Sequence, residues 1–450
     1  MSAPKKAQQE HGGGARALDL SLSRAGNAMS ATTPQKKVRD SGIELLRLVC
    51  IFLIIAHHYY RWGGYPAFTW ESICFKEYSL QCLALFGSIA CSVFILISGY
   101  FTVQKKAPNI VEYYRRAVPL AVEMTFYILL ALVLALTFDW IKLGRALTIQ
   151  SLFPIIWGNW FIVYYLLLFA VTPFINEYLL SLSRDKFLKI LIGLMILWSV
   201  IPTFTIFMYR VGWVKFGGWD YSNVDYFAIM YMIGAFIKLH GHTYKPYANG
   251  WNLLVAVFAS IFILASCALF DYASVITHNN LYIDKARYFH KPYTIPAVIL
   301  AVSVFLFFKN LHFKSRFINW MATSIVAVYI IHDNEIMRPV IWEHIWPNID
   351  YFNAEYFKLY MHVVLKIIAV FVCCLAIDKI RIATIHRIFN GFVMKAYDKI
   401  GYGLLKAFNS WCRLRVVEPA PALEAGMSGM EEARMAAEAS APDGRGAGAR

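Results

Sequence analysis

Two short stretches of this 450-residue sequence hold the residue types that move protons. One runs Glu44-Leu-Leu-Arg47, through nine mostly aliphatic residues, to His57-His58. An α-helix turns ~100° per residue, so positions eleven apart differ by only about 20°. Arg47 and His58 therefore share one helix face, ~16 Å apart along the axis. Glu44 lies one turn below Arg47 and can pair with it. The second stretch reads Ser324-Ile-Val-Ala-Val-Tyr329-Ile-Ile-His332-Asp333-Asn334, with Arg338 just beyond. Imidazole is the side chain poised to exchange protons near neutral pH. A second imidazole flanked by a carboxylate and an amide, with Tyr329 one turn beneath, is the material of an acid/base site. Asn159-Trp160 opens a further apolar run and adds an amide and an indole. Bland readings stay open beside this one: Arg47 can snorkel to an interface, and the aromatic and polar neighbours can form an anchoring belt. Repeated His with Asp fits a belt less well than Trp and Tyr alone.

What must position these residues is a membrane. Of the whole sequence 59% is apolar and only 16% charged, against roughly 45–50% and about 25% in soluble globular chains. Runs of about twenty apolar residues, long enough to span ~30 Å of hydrocarbon, fall near 43–60, 80–101, 117–138, 155–175, 187–208, 224–240, 251–270, 293–309, 319–333 and 361–378. The fold class expected is all-α, a polytopic membrane protein of about ten transmembrane helices. Each ionisable group within such a run costs a few kcal/mol on insertion scales, so each calls for an explanation.

The net charge of +15 falls in short clusters between alternate runs: Lys105, Lys106, Arg115 and Arg116; Arg184, Lys186 and Lys189; Lys238 and Lys245; Lys309, Lys314 and Arg316. The positive-inside rule makes these loops, and hence both termini, cytoplasmic. His58, the His332/Asp333/Asn334 group and Asn159/Trp160 then reach the same outer depth from three different spans. No basic stripe with interleaved aromatics points to nucleic acid. The expected organisation is a disordered basic tail at 1–40, a transmembrane domain at 41–380, an amphipathic basic interfacial helix at 381–415 and a disordered tail at 416–450.

Smaller signals are of less use. Ser98-Gly99-Tyr100 could present a nucleophile, but no His or Asp is adjacent, and a small-residue helix contact suits it better. Arg115-Arg116 obeys the charge rule and could also grip a phosphate. His240, His242, His278, His290 and His312 show no ligand spacing and receive no role, and no metal site is expected. Cys74 and Cys82 could face an oxidising exterior and pair.

With these residues in hand, the sequence resembles the family-3 membrane acyltransferases. Arg47, ten intervening residues and His58 match that family's Arg-x10-His signature. Cys91-Ser-Val-Phe-Ile-Leu-Ile-Ser-Gly-Tyr-Phe101 resembles its second span, and the run from Trp160 to Asn176 its fourth. Tyr231–Lys238 and Thr323–Asn334 resemble further family segments, so the likeness covers about residues 40–380. The resemblance implies a ten-helix enzyme that takes an acyl group, usually acetyl, from cytoplasmic acyl-CoA. The acceptor it implies is a hydroxyl of a surface glycan or a lipid-linked glycan. The hydrolase-like domain fused to some members has no counterpart here, so transfer is expected to finish within the membrane domain.

The resulting expectation is an O-acyltransferase of the cell membrane with no permanently bound cofactor and acetyl-CoA or another acyl-CoA as co-substrate. Its catalytic residues are expected to be His58 as base, Arg47 and His332. Glu44, His57, Asn159, Trp160, Arg115, Arg116, Tyr329, Asp333 and Asn334 are expected around the substrates. Spacing favours His58 over His57. A different class also stays open: a glycolipid or small-solute transporter using the Arg/His face as a proton relay.

Overall fold

The computed structural model describes residues 40–105, 109–138, 159–210, 223–243, 248–384 and 386–411. The expected tails (1–40 apart from Asp40, and 416–450) lie outside the described residues, as do Lys106, Lys245 and positions 155–158 of the fourth run. Among the described residues every regular element is helical. In chain order these are α1 (Ser41–Arg61), α2 (Phe75–Ala84), α3 (Gly87–Thr102), α4 (Ile110–Tyr114), α5 (Val118–Thr137) and α6 (Trp160–Ser181). Then follow α7 (Arg184–Met195), α8 (Ile201–Arg210), α9 (Asn223–His240), α10 (Asn249–Thr277), α11 (Ile283–Ala286) and α12 (Ile295–Lys309). The chain closes with α13 (Arg316–Ala322), α14 (Ile325–His332), α15 (Met337–Pro339), α16 (Tyr356–Thr384) and α17 (His386–Trp411). A π-helical turn, Ile196–Val200, joins α7 to α8 without a break in the helix.

Seven helical stretches are long and apolar enough to cross a membrane: Ser41–Arg61, Phe75–Thr102, Val118–Thr137, Trp160–Ser181, Arg184–Thr205, Asn249–Thr277 and Tyr356–Thr384. Ile295–Lys309 is a shorter apolar helix. Each of the apolar runs read from the sequence contains helix, but two are not continuous. The second is interrupted at Leu85-Phe86, between α2 and α3. The ninth divides at Thr323-Ser324 into α13 and α14. There the Thr323 hydroxyl donates to the Trp320 carbonyl, 2.8 Å away. Hydroxyls that bond nearby carbonyls compete in this way with helix continuation. Lys379 of α16 donates to the same Trp320 carbonyl and to Thr323 Oγ1, each at 2.7 Å. A cation at exposed terminal carbonyls is where the helix dipole favours one.

The core sits where α3 meets α1, α9 and α12. The α3–α9 crossing is the closest of these. A Cβ on Gly99 would overlap the Tyr231 carbonyl, and one on Gly234 would overlap the Leu96 carbonyl. With hydrocarbon as the alternative partner, apolar burial drives helix association weakly, and small residues that let backbones approach do more. That is the use of Ser98-Gly99-Tyr100; Ser98 Oγ itself meets only the Tyr165 hydroxyl, at 3.2 Å. Helix α14, with Ile325 and Ala327 to His332 all buried, packs against α16, α5 and α1. Within the expected interfacial segment 381–415, His386–Trp411 is helical as α17, and it is tied to α4; 385 and 412–415 lie outside the described residues. Tyr397 donates to the Val111 carbonyl at 2.9 Å, and Tyr402 to Glu112 Oε1 at 2.7 Å. The Cys74 and Cys82 thiols are both free.

Candidate functional site

The C-terminal ends of α1 and α14 meet, and they bring together two imidazoles that are 274 residues apart in sequence. His58 Nδ1 lies 2.9 Å from His332 Nε2, and both side chains are buried. The proton positions follow from the network. His332 Nδ1 is hydrogen-bonded to the Val328 carbonyl one turn back, and a carbonyl can only accept. His332 therefore carries its proton on Nδ1 and offers Nε2 as an acceptor. His58 Nδ1 must then donate, which leaves His58 Nε2 as the nitrogen that can gain or lose a proton. That nitrogen faces Asp333 Oδ1 at 3.5 Å. An imidazolium formed there stands against a carboxylate.

Asp333 is held in turn. As the residue that ends α14, it takes a bond from Arg338 Nε, 2.9 Å to the same Oδ1. The Arg338 guanidinium also lies over the Trp62 ring, 4.3 Å from its centroid, and pairs with Glu335. Asn334 Oδ1 accepts from the Ile336 amide at 3.0 Å, an Asx turn that sends the chain into α15 and sets Arg338 in place. The cluster is thus a single local design, in which helix end, turn and guanidinium fix one carboxylate oxygen beside one imidazole.

Several buried polar atoms have no hydrogen-bond partner among the described residues: Asp333 Oδ2, Asn334 Nδ2 and Trp342 Nε1 in and beside the cluster, and, at the start of α6, both amide atoms of Asn159. Leaving a buried polar group unmade costs about 1–3 kcal/mol. Folded proteins satisfy nearly all such groups, so several around one cluster mark a place built to receive polar atoms from elsewhere. Trp342 packs edge-on to His332, with ring centroids 6.5 Å apart. Tyr329 is buried, edge-on to His332 at 6.1 Å and to Phe161 of α6 at 5.7 Å. Asn159 immediately precedes α6 and is fully buried. Trp160 turns from the cluster toward Tyr164 and Phe227, at 6.1 and 6.2 Å between centroids.

His57 sits 5.5 Å from His58, ring to ring, on the next face of α1. Its Nδ1 meets the Ala84 carbonyl at 2.8 Å. A Cβ on Gly87 would strike the His57 ring, so that glycine makes room for it. At the other end of α1, Arg47 Nη1 contacts both Glu44 oxygens at 2.9 Å, the pairing expected from their spacing. Arg115 meets Asp398 of α17 through two bonds of 2.8 and 3.1 Å. Arg116 lies over the Tyr113 ring at 5.3 Å. The structure therefore joins His58, His332, Asp333 and Arg338, with Tyr329 and Asn334 beside them, while Asn159 is buried at the start of α6. It keeps Arg47 with Glu44, and Arg115 with the C-terminal helix.

Other polar residues of the bundle were missed in the sequence. His362 of α16 bonds the Tyr59 hydroxyl at 2.8 Å and stacks on Tyr351, 4.0 Å between centroids. Buried Lys366 donates to the carbonyls of Ile345 and, at 2.7 Å, Trp346, so it anchors the segment carrying Trp342. Far along the same helix, Arg381 joins Asp378 at 2.7 Å and Glu123 at 3.0 Å. Tyr127 donates to Asp378 Oδ1 at 2.6 Å. The signal that finds His58, an ionisable group inside an apolar run, was present at 361–378 and went unused. Among the described residues no group of His, Cys, Asp and Glu is arranged to hold a metal ion.

Among the described residues, the helical bundle with seven apolar stretches of membrane-crossing length is that of a membrane protein, and it holds a buried cluster of two histidines and one carboxylate. The acyltransferase domain family, Acyl_transf_3, matches residues 40–379, and the chain belongs to that family. No curated protein and no solved structure matches it.

Proposed function

We propose that this protein is an O-acyltransferase that moves an acetyl group from cytoplasmic acyl-CoA to a hydroxyl of a surface or exported glycan. In this reading the membrane domain has ten spans, the seven long apolar stretches together with α9, α12 and the broken α13–α14 pair. Both termini are cytoplasmic, and the His58 end of the bundle faces outward in the cell membrane.

The observation that carries the reading is the contact of His58 with His332 and Asp333 inside an acyltransferase domain. The acceptor hydroxyl gives its proton to His58 Nε2 as its oxygen attacks the thioester carbonyl. The imidazolium is stabilised by Asp333 on one side and by the His332 acceptor nitrogen on the other. When the tetrahedral intermediate collapses, the carbon–sulfur bond breaks and the CoA thiolate leaves. A thiolate is a good leaving group, so one placed base and a donor for the oxyanion suffice. Asn159, with a buried amide that has no partner among the described residues, suits the donor role. Arg47 stands near the cytoplasmic end of the same helix, where a guanidinium can meet CoA phosphates; Arg116 is a second candidate there. Arg115 would have to release Asp398 first.

Thiol release from acetyl-CoA by purified protein supplied with surface glycan tests this. Release that requires the glycan and falls by about 10²–10⁴-fold in His58→Ala is expected for a lost base. A folded wild-type protein that turns over no acyl-CoA with any glycan would sink the assignment and bring the proton-relay transporter forward.

A further inference from the structure

A cavity of about 440 Å³ opens at the His58 end of α1, lined among others by Tyr60, Arg61, Tyr65, Phe68, Gln81 and Arg287. None of its lining residues is acidic. The two guanidiniums lie over aromatic rings, Arg61 above Trp62 at 4.8 Å and Arg287 above Tyr60 at 5.0 Å. Among the described residues neither forms an ion pair with a carboxylate. The nearby Asp271 carboxylate is buried beneath Gln81, whose Nε2 donates to Asp271 Oδ2 at 3.0 Å. Two stacked guanidiniums with no directly paired carboxylate among the described residues, in a concave site, are an arrangement for a phosphate or carboxylate.

A second cavity, about 430 Å³, lies farther down α1 and is almost wholly apolar, with walls that include Val49, Leu53, Phe86, Val93, Leu264 and Leu300. The two cavities use the same helix faces. On α1, Val49, Cys50, Leu53, His57, Tyr60 and Arg61 fall within about 120° of arc, centred roughly 110° from the Arg47/His58 line. On α10, Ser260 and Leu264 of the apolar cavity and Asp271 beneath the charged one fall within about 40°. The apolar cavity thus lies along α1 below the arginine-lined one, with His57 on the α1 face between them.

We propose that the two cavities form one site for a lipid-linked anion. The phosphate of a polyprenyl-type carrier sits between Arg61 and Arg287, its chain follows the apolar cavity, and its glycan emerges beside His58. The glycan cargo rests on the acyltransferase reading; the lipid phosphate rests on the cavities alone. Arg61 is one turn beyond His58, so the first sugars past the phosphate stand near the proposed base.

The test measures binding to the full-length protein in phosphatidylcholine nanodiscs, with four probes: a polyprenyl phosphate, the uncharged polyprenol, phosphatidylglycerol and inorganic phosphate. Polyprenyl phosphate should bind, with polyprenol at least tenfold weaker and the other two failing to displace it. Arg61→Gln and Arg287→Gln should each weaken it roughly tenfold. Leu53→Trp, which fills the apolar cavity, should weaken polyprenyl phosphate and polyprenol alike. Thermal melting identifies any variant that fails to fold, and the single arginine variants, being near the surface, keep the test open if Leu53→Trp does. Equal binding of polyprenol, or no change in the arginine double variant, overturns the proposal. Displacement by phosphatidylglycerol at equal concentration would make this a general lipid site and also overturn it. Carrier binding that follows Arg61 and Arg287 without any acyl-CoA turnover would remove the acyltransferase reading and leave this one. Glycan-dependent thiol release without carrier binding would do the reverse.

Discussion

The bundle has two buried polar clusters at opposite ends of α16, and they are finished differently. At one end Arg381 bonds Asp378, Glu123 and Tyr127 at 2.7–3.1 Å, and of that cluster's buried atoms only Asp378 Oδ2 is unpartnered. At the other, His58, His332 and Asp333 are joined, yet Asp333 Oδ2, Asn334 Nδ2 and Trp342 Nε1 have no partner among the described residues. A saturated network gains everything it can from folding. An unsaturated one gives up stability that a bound molecule can return. On the function proposed above, the Arg381 cluster locks the bundle and the His58 cluster carries the chemistry, although both are made of the same costly groups.

That contrast can be broken by substitution. The largest effect is expected from His58→Gln, a loss of about 10²-fold or more in thiol release with melting nearly unchanged; a comparable loss of stability would place His58 in the structural class. Arg381→Met should act oppositely. Stranding buried Asp378 and half-buried Glu123 costs about 3 kcal/mol, visible in chemical or thermal unfolding, while turnover per folded molecule persists. Asp333→Asn comes next. The amide keeps the shape but cannot neutralise the imidazolium, so kcat should fall about tenfold or more, with KM little affected. The finest probe is Asn159→Leu. Replacing an unpartnered buried amide by an apolar side chain of similar size should leave stability unchanged or raise it by about 1 kcal/mol, while kcat declines. A clear destabilisation would show that Asn159 has a structural partner and that the two ends differ less than their geometry indicates.

Much of this was legible in the residues. The eleven-residue spacing of Arg47 and His58 and the His332-Asp333-Asn334 run single out two helix ends that the structure brings into contact, and the helices follow the apolar runs. The break at Thr323-Ser324 was not legible, because hydropathy is blind to a hydroxyl competing with the backbone and to Lys379 arriving from α16. The pairing of Arg115 with Asp398 was hidden too, since α17 lies 283 residues away in sequence and nothing local specifies its partner. The Arg381 cluster was overlooked rather than hidden: Asp378 and Arg381, three residues apart on one helix, carry the same spacing signal as Glu44 and Arg47.

Helix α16 also measures. It carries His362 against Tyr59, the residue after His58, and Arg381 against Glu123, nineteen residues on and therefore ~28 Å away along an unbroken axis. The phase of one cluster against the other is fixed by residue count. One residue inserted midway would turn either end by ~100° relative to the other, and a whole turn would part them by a further ~5.4 Å, so no insertion between those two points leaves both His362 and Arg381 against their partners.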